Sequence, residues 1–128
     1  MCYNKKDMTE KTFTCDNEGM IGAQAFLESV CDSPKPAIVM DEIVSNIVRC
    51  SGAKDFSIAL DQTPDGLSMV FSDGGRAFDP TRDVATPDLS ASVADRGIGG
   101  LGIFMVKKMS KSVSYRRDGG RNVLRVVM

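Results

Sequence analysis

This chain of 128 residues contains no histidine and no tryptophan. Without histidine, Ser-His-Asp and Cys-His catalysis, autophosphorylation on histidine and a Cys/His zinc site are all excluded. Cys2, Cys15, Cys31 and Cys50 are scattered, with no CxxC pair. That pattern predicts free, mostly buried thiols in a reducing compartment. No apolar run approaches the ~20 residues needed to cross a bilayer, and Lys5-Lys6 are not followed by an apolar signal core. A cytoplasmic location without membrane contact is the expectation. With 16 basic against 17 acidic residues the net charge is −1, so no basic field points to direct nucleic-acid binding.

What is present has the balance of an ordinary globular protein, 42% hydrophobic and 26% charged. At this length one domain spanning 1–128 is expected. Lys11 to Cys15 is rich in β-formers and predicts a first strand. Asp16 or Asn17 caps a helix whose stripe, Met20, Ala23, Leu27 and Val30, runs to about Cys31. After the Pro34-Lys35-Pro36 break, a second helix is predicted from Pro36 to Cys50, with Val39, Ile43, Ile47 and Cys50 as its apolar stripe. Ser51-Gly52 ends it. Phe56, Ile58 and Leu60 alternate with small residues, as do Leu67, Met69 and Phe71. Thr63-Pro64-Asp65-Gly66 between them is turn chemistry, so the two strands form a hairpin. Gly74 to Gly97 lacks periodicity, and a loop of that length in a compact domain is usually functional or disordered. A third helix from Leu101 to Lys108 or Met109 and a final hairpin, Ser112 to Arg116 with Asn122 to Val127 around Asp118-Gly119-Gly120, complete the order β-α-α-β-β-loop-α-β-β. Helices and hairpins segregate, which predicts an α+β two-layer sandwich: a mostly antiparallel sheet with helices on one face.

Three stretches carry candidate chemistry. Glu42 and Asn46 are four apart on the second helix and share a face, beside its apolar stripe. Burying them without partners carries a desolvation cost, and the spacing alone fits both a polar edge and a site. Asp73-Gly74-Gly75 puts a carboxylate at a strand end, followed by backbone that a ligand can approach closely. In Asp95-Arg96-Gly97-Ile98-Gly99-Gly100-Leu101-Gly102 a glycine loop feeds a helix start, whose unpaired N–H groups and dipole suit an anion such as phosphate. The GxGxxG spelling matches the dinucleotide fingerprint, but no strand precedes it to start a βαβ unit. There is no GKS or GKT, so a P-loop is excluded.

In their order and spacing, Glu42-Ile43-Val44-Ser45-Asn46, Asp73-Gly74-Gly75-Arg76-Ala77-Phe78-Asp79-Pro80 and Gly97-Ile98-Gly99-Gly100-Leu101-Gly102 resemble the motifs of the GHKL (Bergerat-fold) ATPases. Within that superfamily the chain is similar to the small anti-sigma factor serine/threonine kinases of bacteria, and Phe78-Asp79-Pro80 carries that likeness. The resemblance runs from about Ile38 onward. It implies ATP and Mg²⁺ as cofactors, with Asn46 as the magnesium ligand and Glu42 as the catalytic base. It implies that Asp73 accepts from the adenine amino group and that Gly75 lets the base approach. Gly97, Gly99, Gly100, Leu101 and Gly102 would form the phosphate end of a lid. It further implies phosphorylation of an antagonist (anti-anti-sigma) protein, sequestration of a sigma factor, and a homodimer. The alternatives are a nucleotide-dependent binding module without catalysis and a detached histidine-kinase catalytic domain. The sequence departs from the family in one place: where members often carry a histidine after the magnesium asparagine, it reads Arg49-Cys50-Ser51-Gly52. The stretch 81–95 matches no family pattern.

Overall fold

The computed structural model describes residues 8–82 and 98–128. Its elements are β1 (Met8–Thr14), α1 (Asn17–Glu28), α2 (Pro34–Cys50), β2 (Asp55–Thr63), β3 (Gly66–Asp73), α3 (Ile98–Met109), β4 (Ser112–Asp118) and β5 (Arg121–Val127). The five strands form one sheet in the order β1-β2-β3-β5-β4, and every neighbouring pair is antiparallel. This is the α+β architecture that the segregated pattern predicts.

Alternation along the strands decides which face is covered. Phe56, Ile58 and Leu60 of β2, Met69 and Phe71 of β3, and Leu124 and Val126 of β5 all point to one side and are buried. They meet Phe26 and Leu27 of α1, Val39, Met40, Ile43 and Val44 of α2, and Val106 of α3. Each large side chain buried this way contributes about 1.5–3 kcal/mol, so this layer supplies most of the fold's stability. At the edge, the Phe13 ring lies 5.9 Å from that of Phe26 and 5.7 Å from that of Phe56, which fastens β1 to α1 and β2.

Four boundaries differ from the sequence expectation. Strand β1 starts at Met8 because its backbone pairs with β2 all the way to Asp61. Helix α1 ends at Glu28, three residues before Cys31. There the Val30 and Cys31 amides both donate to the Leu27 carbonyl, a tight turn that still leaves both side chains against the core. Helix α2 starts at Pro34, with two prolines in its first turn, where their missing N–H groups cost nothing. Most consequentially, α3 starts at Ile98, so Gly99, Gly100 and Gly102 belong to the helix itself. Glycine lowers helix stability by about 1 kcal/mol relative to alanine. Tertiary packing overrides that preference, for a reason found at the site.

The connection from β3 through α3 lands on the edge strand β4, and the β4–β5 hairpin then brings β5 back beside β3. Gly119 and Gly120, with φ of 57° and 78°, supply the left-handed backbone of that turn. The resulting register sets Asp73 directly opposite Asn122.

Candidate functional site

Asp73 is the last residue of β3, yet it is only 4% exposed. Its Oδ1 accepts from the Gly75 amide at 2.9 Å and from Asn122 Nδ2 at 3.0 Å. Among the described residues nothing donates to Oδ2. Asn122 is the hub of this corner. Its Nδ2 also donates to the Arg76 carbonyl at 2.7 Å. Its Oδ1 accepts from the Phe78 amide at 3.2 Å, Arg117 Nη1 at 3.1 Å and the Tyr115 hydroxyl. The chain after β3 is thus pinned by side chains from β4 and β5. Arg117 Nη1 also donates to the Gly75 carbonyl at 2.9 Å.

Gly75 is required by a close approach. A Cβ there would overlap the Ser51 carbonyl at the C-terminus of α2, and the next amide, Arg76, donates to that carbonyl at 3.0 Å. Arg76 Nε reaches the Cys50 carbonyl at 2.8 Å. The carbonyls left open at the end of α2 therefore find donors in the Asp73-Gly74-Gly75-Arg76 segment. Nearby, burial pushes the Cys15 thiol above its ordinary pKa. A hydrogen bond with Ser51 opposes that shift, and the charges of Asp73, Asp55 and Asp16 reinforce it. That shift favours the neutral thiol over the thiolate.

Asn46 projects from α2 into the same pocket. The pocket is apolar over most of its wall, with Ile43, Ile47, Phe71, Phe78 and Ile103 among its lining, and Asp73, Asn122, Asn46, Ser51 and Tyr115 are its polar points. Asn46 is 9% exposed. Its Oδ1 accepts from Arg49 Nη2 at 3.0 Å, and its Nδ2 has no partner among the described residues. An unsatisfied buried amide nitrogen costs about 1–3 kcal/mol, which marks this as a place where a polar ligand belongs.

Glu42, one turn earlier on α2, does not line that pocket. It lies half-buried against the first turns of α3, where a Cβ on Gly102 would collide with its carboxylate. This explains the glycine inside the helix: where α3 packs on α2, a side chain at residue 102 would push the Glu42 carboxylate aside. Gly99, Gly100 and Leu101 lie in the first turn of α3, whereas Gly97 and the stretch 83–97 lie outside the described residues. Lys107 Nζ donates to the Thr81 carbonyl at 2.8 Å, tying the segment after Phe78-Asp79-Pro80 to α3.

The structure therefore brings Asn46 and Asp73 into one pocket, sets Gly75 at its Asp73 end, and sets Glu42 and Gly102 against each other beside the Asn46 end. Sequence reasoning missed Asn122, Tyr115, Arg117 and Ser51. A signal existed for Asn122: it shares the alternating face of Leu124 and Val126, so a polar side chain stands at a core position.

A five-stranded antiparallel sheet, three helices on one face and a pocket with a strand-end carboxylate opposite a helix-borne amide define a class, and a family model agrees. The model for histidine kinase-like ATPase domains matches residues 25–128, so the chain belongs to the histidine kinase-like ATPase family. Its cofactor is accordingly ATP. Among particular proteins, it is similar to the serine/threonine-protein kinase BtrW of Bordetella bronchiseptica, with 31% identity over 85 residues. That match covers 66% of this chain and 59% of BtrW.

Proposed function

We propose that the chain is a protein serine/threonine kinase that transfers the γ-phosphoryl group of ATP to an antagonist protein and, in a nucleotide-dependent state, sequesters a sigma factor. The observation that carries this reading is the pairing of Asp73 and Asn46 at two polar points of one apolar pocket, with Glu42 one helical turn beyond Asn46. The name of the relative BtrW supports serine or threonine as the acceptor. The antagonist and the sigma factor rest on the resemblance described above.

In this reading Asp73 Oδ2 accepts from the exocyclic amine of adenine, while Oδ1 stays engaged with Gly75 and Asn122. The apolar walls, Ile43, Ile47 and Phe71 among them, hold the purine by its faces. The donor set also suits magnesium. Asn46 offers a hard amide oxygen at a buried position, and its nitrogen has no partner among the described residues. Among the described residues no three acidic or cysteine side chains cluster to cage a metal. Magnesium can be held by a single protein oxygen together with phosphates and water. Such an ion would neutralise phosphate charge as it builds up in transfer.

Glu42 acts on the acceptor. Its carboxylate orients the incoming hydroxyl and takes its proton as the oxygen bonds to the γ-phosphorus. The bond from phosphorus to the β–γ bridging oxygen breaks, and ADP leaves. General-base assistance of this kind is worth roughly 10²–10⁴ in rate. Gly102 keeps that carboxylate accessible, since any side chain there would displace it. The N-terminal turn of α3, with its free amides, would face the phosphates.

Incubation with γ-labelled ATP, Mg²⁺ and candidate antagonist proteins tests the reading. Label that survives acid on serine or threonine of the antagonist is the expected result. Acid-labile label would point to phosphohistidine and the histidine-kinase alternative. No label, with nucleotide still bound, would leave a non-catalytic binding module.

A further inference from the structure

Asn46 and Arg49 are three apart on α2 and therefore neighbours on its surface. Arg49 Nη2 donates to Asn46 Oδ1 at 3.0 Å, and Arg49 Nε donates to the Ser45 carbonyl at 3.3 Å. The guanidinium thus lies along the helix with one of its donors on the amide oxygen of a side chain that is itself more than nine-tenths buried. The other end of that amide, Nδ2, is buried and has no partner among the described residues.

We propose that Arg49 is a gate on the metal position: it holds the Asn46 oxygen in the nucleotide-free protein, and a divalent cation arriving with nucleotide must displace it. This rests on Asn46 being the metal ligand and adds the residue that sets how strongly nucleotide binding depends on metal. A divalent cation has two ways to reach the Asn46 oxygen. It can take Oδ1 where it stands, which puts a dication and a guanidinium on one oxygen, and like charges at that separation repel strongly. Alternatively the amide turns over, which sets the Nδ2 donors against the donors of Arg49 and leaves the guanidinium without its acceptor. Both routes require Arg49 to withdraw. It can do so readily, because its side chain is exposed and water takes over its hydrogen bonds. When no metal is present, the same guanidinium remains beside the phosphates as a positive charge. Arg49 therefore weakens the metal-bound state and supports the metal-free one, and both effects reduce the dependence on magnesium.

The test measures ADP affinity of the full chain by calorimetry in excess Mg²⁺ and in excess chelator. The ratio of the two dissociation constants reports metal dependence. Arg49→Ala should raise that ratio about tenfold, the scale of one charge-assisted hydrogen bond. Arg49→Lys, which keeps the cation, should leave it closer to the wild-type value than to that of Arg49→Ala. In the NMR spectrum, Mg-ADP should shift the Asn46 side-chain amide pair and the Arg49 Nε–H resonance together. A wild-type ratio well above one that Arg49→Ala leaves unchanged would overturn the gate alone. A wild-type ratio of one, with ADP still bound, would remove Asn46 as the metal ligand and the gate with it. Arg49 is on the surface, so thermal unfolding of the variants should match wild type and keep both results interpretable.

Discussion

The two ends of the pocket are built differently. At the Asp73 end almost every polar atom is engaged: Asn122 alone joins Asp73, Arg76, Phe78, Tyr115 and Arg117, and Gly75 seats the loop on the backbone of Ser51. At the Asn46 end one amide nitrogen has no partner among the described residues, the amide oxygen is held by a surface arginine, and Glu42 lies where α3 packs on α2 at Gly102. One end has its polar groups engaged within the protein, and the other leaves a polar group open among the described residues. In the proposed function the engaged end recognises a fixed group, the base, and the other end carries out the reaction. A preformed acceptor spends little binding energy on ordering.

The comparison can be broken most severely at Asn122. Replacing it with alanine strands polar groups from two neighbouring strands and a loop, and should cost about 3 kcal/mol in urea unfolding. Asn46→Ala removes an amide whose nitrogen has no partner among the described residues, and should cost no more than about 1 kcal/mol. Equal losses at the two positions would erase the distinction between the ends.

Asp73→Asn comes next. The new side chain can keep its oxygen on Gly75 and Asn122, which turns its Nδ2 toward the place of the adenine amine, donor against donor. ATP affinity should fall by roughly 1.5–3 kcal/mol with the fold intact, as calorimetry and circular dichroism together would show. An affinity equal to wild type would remove Asp73 as the adenine acceptor.

The glycines sharpen the contrast. A Cβ at Gly75 meets backbone that cannot yield, so Gly75→Ala should destabilise by about 1.5 kcal/mol. A Cβ at Gly102 meets the end of a flexible side chain. Gly102→Ala should therefore cost less stability than Gly75→Ala, helped by alanine's better helix propensity, while slowing phosphoryl transfer by displacing Glu42. Denaturation and single-turnover rates on both variants test this, and the opposite ranking in stability would contradict the packing described.

The smallest effect lies far from the pocket. Asp16 caps α1, and hydrogen bonds first from the Thr14 hydroxyl and then from the Gly19 amide hold its carboxyl below the usual carboxylate range. A lowered folded-state pKa means that its stabilising contribution is present above the unfolded value of about 3.9 and is lost as pH falls through the folded value. Asp16→Asn should flatten that acid limb of the stability curve slightly and change nothing at neutral pH beyond the loss of a charged cap.

Much of this architecture is legible in the sequence because it follows from local periodicity. The alternation of Phe56, Ile58 and Leu60, the Thr63 to Gly66 turn and the stripe of Val39, Ile43 and Ile47 each specify an element without reference to the rest of the chain. Glu42, Asn46 and Asp73 are visible as polar residues beside apolar ones at motif spacing. What is not legible depends on distant backbone. Nothing local to Gly75 says that it meets Ser51, and nothing in the run Gly99, Gly100 and Gly102 says that it is helical. Propensity argues for a loop there, and contact with Glu42 overrides it. The pairing of Arg49 with Asn46 is possible from their spacing, but only the side-chain geometry shows that the amide oxygen is the atom held.

The central claim is that Glu42 performs chemistry beside a nucleotide it does not need to hold. Glu42→Gln keeps the size of the side chain and removes the base, so it separates the two. Single-turnover transfer to the antagonist protein at saturating Mg-ATP, with ATP affinity measured on the same preparation, is the direct measurement. The account predicts near-normal ATP binding and a transfer rate lowered by roughly 10²–10⁴. A variant that phosphorylates its substrate at the wild-type rate would contradict it.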